Sequence, residues 1–136
     1  MIKPIVKDIF FLGQKSEPAT PMDVGIAKDL QDTLAANRNR CIGMAANMIG
    51  YNKNMIIVST GFLDVVMINP VLLSKSEPYE VEEGCLSLEG KRQTTRYKNI
   101  EVEFQDLQFK KKKMQFHGLV AQIILHEMDH CNGVVI

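Results

Sequence analysis

Ile26, Leu30 and Leu34 recur at helical spacing through an otherwise polar stretch opening at Pro21, which predicts an amphipathic helix ending near Asn37 to Arg40. The polar, proline-containing run before it, residues 14–21, is expected to be a loop. From there to Phe116 the texture changes to short β-branched or apolar runs. Residues 55–58, 65–68 and 71–73 are predicted strands, separated by Gly61 and by Asn69-Pro70. Ile100, Val102 and Phe104 alternate with Glu101, Glu103 and Gln105, the period of a half-buried strand. Residues 107–109 and 114–116 pair naturally as a hairpin with Lys110, Lys111, Lys112 and Lys113 at its tip. The last segment, residues 118–131, is apolar all round from Leu119 to Leu125 except at Gln122, which predicts a buried helix. No internal repeat, low-complexity tract or long linker divides the chain, so residues 1–136 are expected to form one domain.

That final helix carries a conflict. It runs on into His126, Glu127, Asp129 and His130, polar groups whose burial is costly unless something binds or pairs them. Residues 126–130 form an H-E-x-x-H pattern, and one helical turn between the histidines puts both rings on one face, able to share a cation. Glu127 is then placed to touch a water on that cation. It would take the water's proton and later deliver it to a leaving amine. Only six residues follow His130, so a third ligand is expected upstream. Cys85, within Glu83-Gly84-Cys85-Leu86-Ser87, is the best candidate, since glycine allows close approach and a thiolate binds strongly. Cys41 is possible but lacks a comparable context, and Cys131 points elsewhere on the helix. One thiolate and two imidazoles leave a fourth position open, the mark of a catalytic site. Asp129 is either an orienting group behind the ligands or an ordinary capping or ion-paired aspartate.

Composition narrows the rest. Sixteen basic and sixteen acidic side chains cancel, so no overall field draws the chain to nucleic acid or anionic lipid. The four consecutive lysines are expected to be a solvated turn, with nothing aromatic or basic elsewhere to complete a stripe. No apolar run approaches the ~20 residues of a membrane span, and no apolar signal core follows the first residues. A cytoplasmic location is expected. Three cysteines, an odd count, argue for thiols, ligands or nucleophiles over a disulfide framework.

With these segments in hand the chain resembles the peptide deformylase family. That family carries a G-x-G-L-A-A-x-Q segment, an E-G-C-L-S segment and an H-E-x-D-H segment, in that order. Here they are Cys41-Ile42-Gly43-Met44-Ala45-Ala46-Asn47-Met48, then residues 83–87, then residues 126–130. The resemblance implies an α+β fold, short antiparallel or mixed strands around a central C-terminal metal-binding helix, plus an N-terminal helix. It implies hydrolytic removal of the formyl group from the N-formylmethionine of nascent polypeptides, met at the ribosome, with release of formate. It places one divalent metal on Cys85, His126 and His130, commonly Fe2+, with Zn2+, Ni2+ or Co2+ as other occupants. It gives Glu127 the acid/base role and the Leu86 backbone N–H an oxyanion role. Ile42, Gly43, Gly84 and Arg92 are implied to bind the substrate.

Two positions depart from the family pattern. Cys41 stands where the family has glycine, and its side chain is expected to narrow the site. Met48 stands where the family has the glutamine whose amide stabilises the developing oxyanion, and methionine has no N–H to donate. Asn47 is adjacent, but neighbours on an extended strand face opposite ways, so no rescue is expected from it. Losing one such donor typically costs ~2.7–4 kcal/mol of transition-state stabilisation. The expected function is therefore a deformylase of reduced turnover. The alternatives are a protein that keeps the metal but mainly binds formylated or other short peptides or a ribosomal partner, and an amidase for another small N-acyl substrate.

Overall fold

A computed structural model describes residues 1–85 and 87–134. A short helix α1 (Ile9–Leu12) precedes helix α2 (Val24–Ala36), which buries Ile26, Leu30 and Leu34 as their spacing requires. A 3-10 turn at Pro21–Asp23 starts α2. Pro21 supplies a fixed φ where no helical donor is needed, and the Asp23 carboxylate accepts the Thr20 N–H at 2.9 Å.

Among the described residues one antiparallel sheet follows, its strands adjacent in chain order: β1 (Gly43–Ala45), β2 (Met55–Ser59), β3 (Asp64–Cys85), β4 (Leu88–Gln105) and β5 (Lys111–His117). The expectation of short strands fails for β3 and β4. These form one long ribbon paired from Ile68↔Gln105 to Cys85↔Leu88, with register shifts between Ile68 and Val71, Leu72 and Ser74, and Gly84 and Cys85. Asn69-Pro70 does not separate two strands but lies within β3, at a bulge between Ile68 and Val71. Asn69 has φ 52, and its side chain bonds Ala19 and Gln105, so the extra residue is held without ending the strand.

The lysine hairpin is also displaced. Residues 107–109 do not pair with 114–116; instead β4 pairs with β5 in the register Val102↔Met114 and Ile100↔Phe116. The turn lies at 106–110, where Asp106 Oδ1 accepts the N–H groups of Gln108 and Lys110 and Phe109 takes φ 61. An aspartate able to close a turn on its own carboxylate outweighs the charge run as a turn signal. Lys111, Lys112 and Lys113 thus lie on an edge strand, where charge blocks pairing with another sheet.

Helix α3 (Gly118–Cys131) packs on β1, β2 and β4. The core it shares with the sheet and α2 includes Met44, Ile56, Met67, Val102 and Ile124, each fully or nearly fully buried. Burying each such side chain stabilises the fold by roughly 1.5–3 kcal/mol. The helix is not buried throughout, since Leu119 is 62% exposed where its N-terminal turn opens onto a cavity. No helix among the described residues is long and apolar enough to cross a membrane.

Candidate metal centre

The β3–β4 hairpin turns back directly after Cys85, carrying that thiol to the inner face of α3. Its Sγ lies 3.2 Å from His130 Nε2, which lies 3.3 Å from His126 Nε2. All three ligand atoms fall within 4.8 Å of one another. Ligands bonded at ~2.0–2.3 Å in a tetrahedron stand roughly 3.3–3.8 Å apart, so the cluster fits a divalent ion on two imidazoles and one thiolate. Cys85 is thereby the third member. Cys131 Sγ lies instead 3.9 Å from the Met55 carbonyl oxygen, and burial pushes that thiol up to about 12. Cys41 lines the neighbouring cavity, its thiol raised to about 11 by burial and by nearby Glu127.

The support behind His126 was not foreseen. Glu83 Oε1 bonds His126 Nδ1 at 2.8 Å, and the same carboxylate accepts from Gln122 Nε2 at 2.9 Å and from Arg96 Nη2 at 2.7 Å. Arg96 also donates through Nη1 to Asp129 Oδ2 at 2.7 Å. Burial alone would raise the Glu83 carboxyl, but its bonds to His126 and Arg96 prevail and hold it down at about 2. Asp129 is thus an ion-pair partner that holds Arg96, not a direct contact of the ligands. A sequence signal existed: Glu83 and Cys85 are two apart on one strand, hence on one face.

Glu127 is 4% exposed, and its Oε1 is buried without a partner among the described residues. Burial pushes this carboxyl up to about 7, against the pull of His126. Gly43 packs against it. A Cβ there would stand 2.6 Å from Ile123 Cγ2 and 3.1 Å from Glu127 Oε2. Gly43→Ala is therefore expected to destabilise the fold by about 1–3 kcal/mol through overpacking and to lower kcat by displacing Glu127. A thermal melt and steady-state kinetics check both.

A cavity of about 480 Å³ opens over the cluster. Ile42, Gly43, Met48 and Gly84, singled out in the sequence, all line it, together with Cys85, His126 and Glu127. Arg92 is not in that lining; it is exposed on β4 opposite Glu83 in the register. Leu86 lies outside the described residues. Met48 is 1% exposed, and its Sδ accepts the Ala45 N–H at 3.4 Å, so the side chain presents no donor. The expectation that Asn47 sits on an extended strand is corrected. Residues Ala46–Ile49 form a 3-10 turn, and the Asn47 Nδ2 donates to the His130 carbonyl at 2.8 Å. The conclusion survives on a different ground, because that amide is already engaged away from the cavity.

Comparison with known proteins agrees with this centre. A family model described as polypeptide deformylase matches residues 3–136. A peptide deformylase of Clostridium beijerinckii is 59% identical over 136 residues, covering 100% of both chains. A peptide deformylase of Prochlorococcus marinus is 34% identical over 98% of this chain and 72% of its own. Among solved structures, a Met-Ala-Ser-bound class I type b peptide deformylase from Acinetobacter baumannii superposes with TM-score 0.89 at 29% identity, covering 99% of this chain and 97% of that one. The Thermotoga maritima peptide deformylase gives TM-score 0.88 at 28% identity over 99% and 95%.

Proposed function

The chain belongs to the polypeptide deformylase family, metal-dependent amidohydrolases that remove N-formyl groups, and from that premise we propose that it releases formate from the N-formylmethionine of nascent polypeptides. The observation that carries this reading is the meeting of Cys85, His126 and His130 beside a buried carboxylate, Glu127, with one oxygen unpartnered among the described residues. A divalent ion held there supplies Lewis-acid polarisation of the formyl group and an acidified water nucleophile. The residues do the rest. Glu127 takes the water's proton and returns it to the departing amine, and its raised pKa suits both halves of that task. Ile42, Gly43 and Gly84 offer backbone at the cavity wall for an extended peptide to lie against. Fe2+ is the proposed occupant in the cell. Thiolate and imidazole donors intrinsically favour zinc by the usual divalent order, so availability decides among Fe2+, Zn2+, Ni2+ and Co2+. Residues 1–136 act as one unit, in the cytoplasm, on chains leaving the ribosome.

Turnover is lower than a glutamine at position 48 would allow, because the Met48 sulfur already accepts the Ala45 N–H and has nothing to donate to an oxyanion. In Met48→Gln the side-chain oxygen can take the Ala45 N–H and leave an amide N–H to spare. Ferrous protein kept anaerobic is expected to release formate slowly from formyl-Met peptides. Met48→Gln is expected to accelerate it at least tenfold, toward the ~10²–10³ that one oxyanion donor is worth. Formate from neither form, with one equivalent of metal bound, would favour a peptide-binding protein. Activity confined to other N-acyl amides would favour the amidase.

A further inference from the structure

Two side chains at the metal cluster each carry one polar atom unsatisfied among the described residues, and their needs are complementary. Asn47 and His130 are both 0% exposed. The Asn47 Nδ2 donates to the His130 carbonyl oxygen at 2.8 Å, and since a carbonyl only accepts, this contact identifies the nitrogen end of the carboxamide. The other end, Oδ1, is therefore an acceptor, buried and without a partner among the described residues. On His130 it is Nε2 that faces Cys85 Sγ and His126 Nε2, at 3.2 and 3.3 Å. A nitrogen facing that cluster must keep its lone pair for a metal, so the ring hydrogen belongs on Nδ1. That Nδ1 is also buried and without a partner among the described residues. His126, by contrast, has Glu83 behind its Nδ1.

We propose that Asn47 is a positioning residue for His130, its Oδ1 accepting the Nδ1–H through one enclosed water, so that the ring is held with Nε2 toward the metal. Asn47 then does with a neutral amide what Glu83 does for His126 with a charge, and a bridging water serves almost as well as a direct bond. Its carboxamide holds the C-terminal turn of α3 by the backbone and the ring by the side chain. The inference rests on the metal-binding part of the proposed function and is independent of the formyl substrate.

The test compares wild type, Asn47→Leu and Asn47→Ala in the full chain. Leucine keeps the branched outline and the number of heavy atoms, though it is bulkier, and removes both polar ends; alanine removes them but leaves room for a water to accept the Nδ1–H. Zinc and cobalt affinities are measured by competition with a chelator, and the His130 tautomer by nitrogen-15 NMR of the metal-free protein. Wild type is expected to show the Nδ1–H tautomer alone, and Asn47→Leu a mixture. Asn47→Leu should lose about 10–100-fold in metal affinity and Asn47→Ala less. A merely structural role predicts the reverse order, because alanine leaves a cavity that leucine fills. Wild-type affinity in Asn47→Leu, a weaker Asn47→Ala, or an Nδ1–H tautomer untouched by leucine would each overturn the proposal. So would loss of that tautomer in Ser87→Ala alone, since the Ser87 hydroxyl, near Cys85, is a further buried atom without a partner among the described residues. Should Asn47→Leu not fold, the wild-type spectrum still decides: a His130 hydrogen on Nε2 rejects the inference.

Discussion

Replacing Glu127 by glutamine is expected to slow formate release by about 10²–10⁴-fold while one equivalent of metal stays bound. The carboxylate is nearly fully buried, against Gly43, and its Oε1 has no other partner among the described residues. Glutamine keeps that shape but cannot take a proton from water or pass one to the leaving amine. The ligand atoms on Cys85, His126 and His130 are untouched, so metal content measured beside turnover separates chemistry from binding. Stability should move the other way. A carboxyl that burial raises to about 7 opposes folding at pH values above its unfolded pKa, so the metal-free variant should melt no lower than wild type. Turnover surviving within tenfold would mean that another group carries the proton.

The second large effect is structural. Arg96→Met is expected to cost about 3–5 kcal/mol of stability, lowering the thermal midpoint by roughly 10–25 °C. Arg96 is 4% exposed and spans Glu83 and Asp129, and its removal strands a buried carboxylate that is otherwise ionised. Glu83 would keep its bonds from His126 and Gln122 but lose the guanidinium, the partner whose charge does not depend on protonation. Metal affinity should also fall, by about 10–100-fold, because Glu83 orients His126. A double variant, Glu83→Gln with Arg96→Met, should recover part of the stability without recovering the affinity. A single Arg96→Met that melts like wild type would remove the ion pair from the account of both.

The sequence located most of the elements for which a local rule sufficed. The spacing of Ile26, Leu30 and Leu34 marked α2, and the alternation from Ile100 to Phe104 marked part of β4. It went astray where a local signal competes with pairing. Asn69-Pro70 looks like a strand break and is a bulge, because a long partner strand carries β3 across it. The lysine run looks like a turn tip and is edge strand, because Asp106 closes the turn earlier. Neither outcome is written in the few residues concerned.

The same division holds at the site. Two histidines one helical turn apart with a glutamate between them marked two donors and a candidate base, and a cysteine flanked by glycine was the best candidate for the third donor. Only the folded chain decided what stands behind them: Arg96 reaching Glu83 from the opposite strand, Asn47 turned from the cavity to His130, and Met48 occupied by its own backbone. Ligand identity is a property of side-chain chemistry, which the residues carry with them. Orientation and partnership depend on which distant segments a buried group meets, and burial forces every such group to find a partner that no local pattern names.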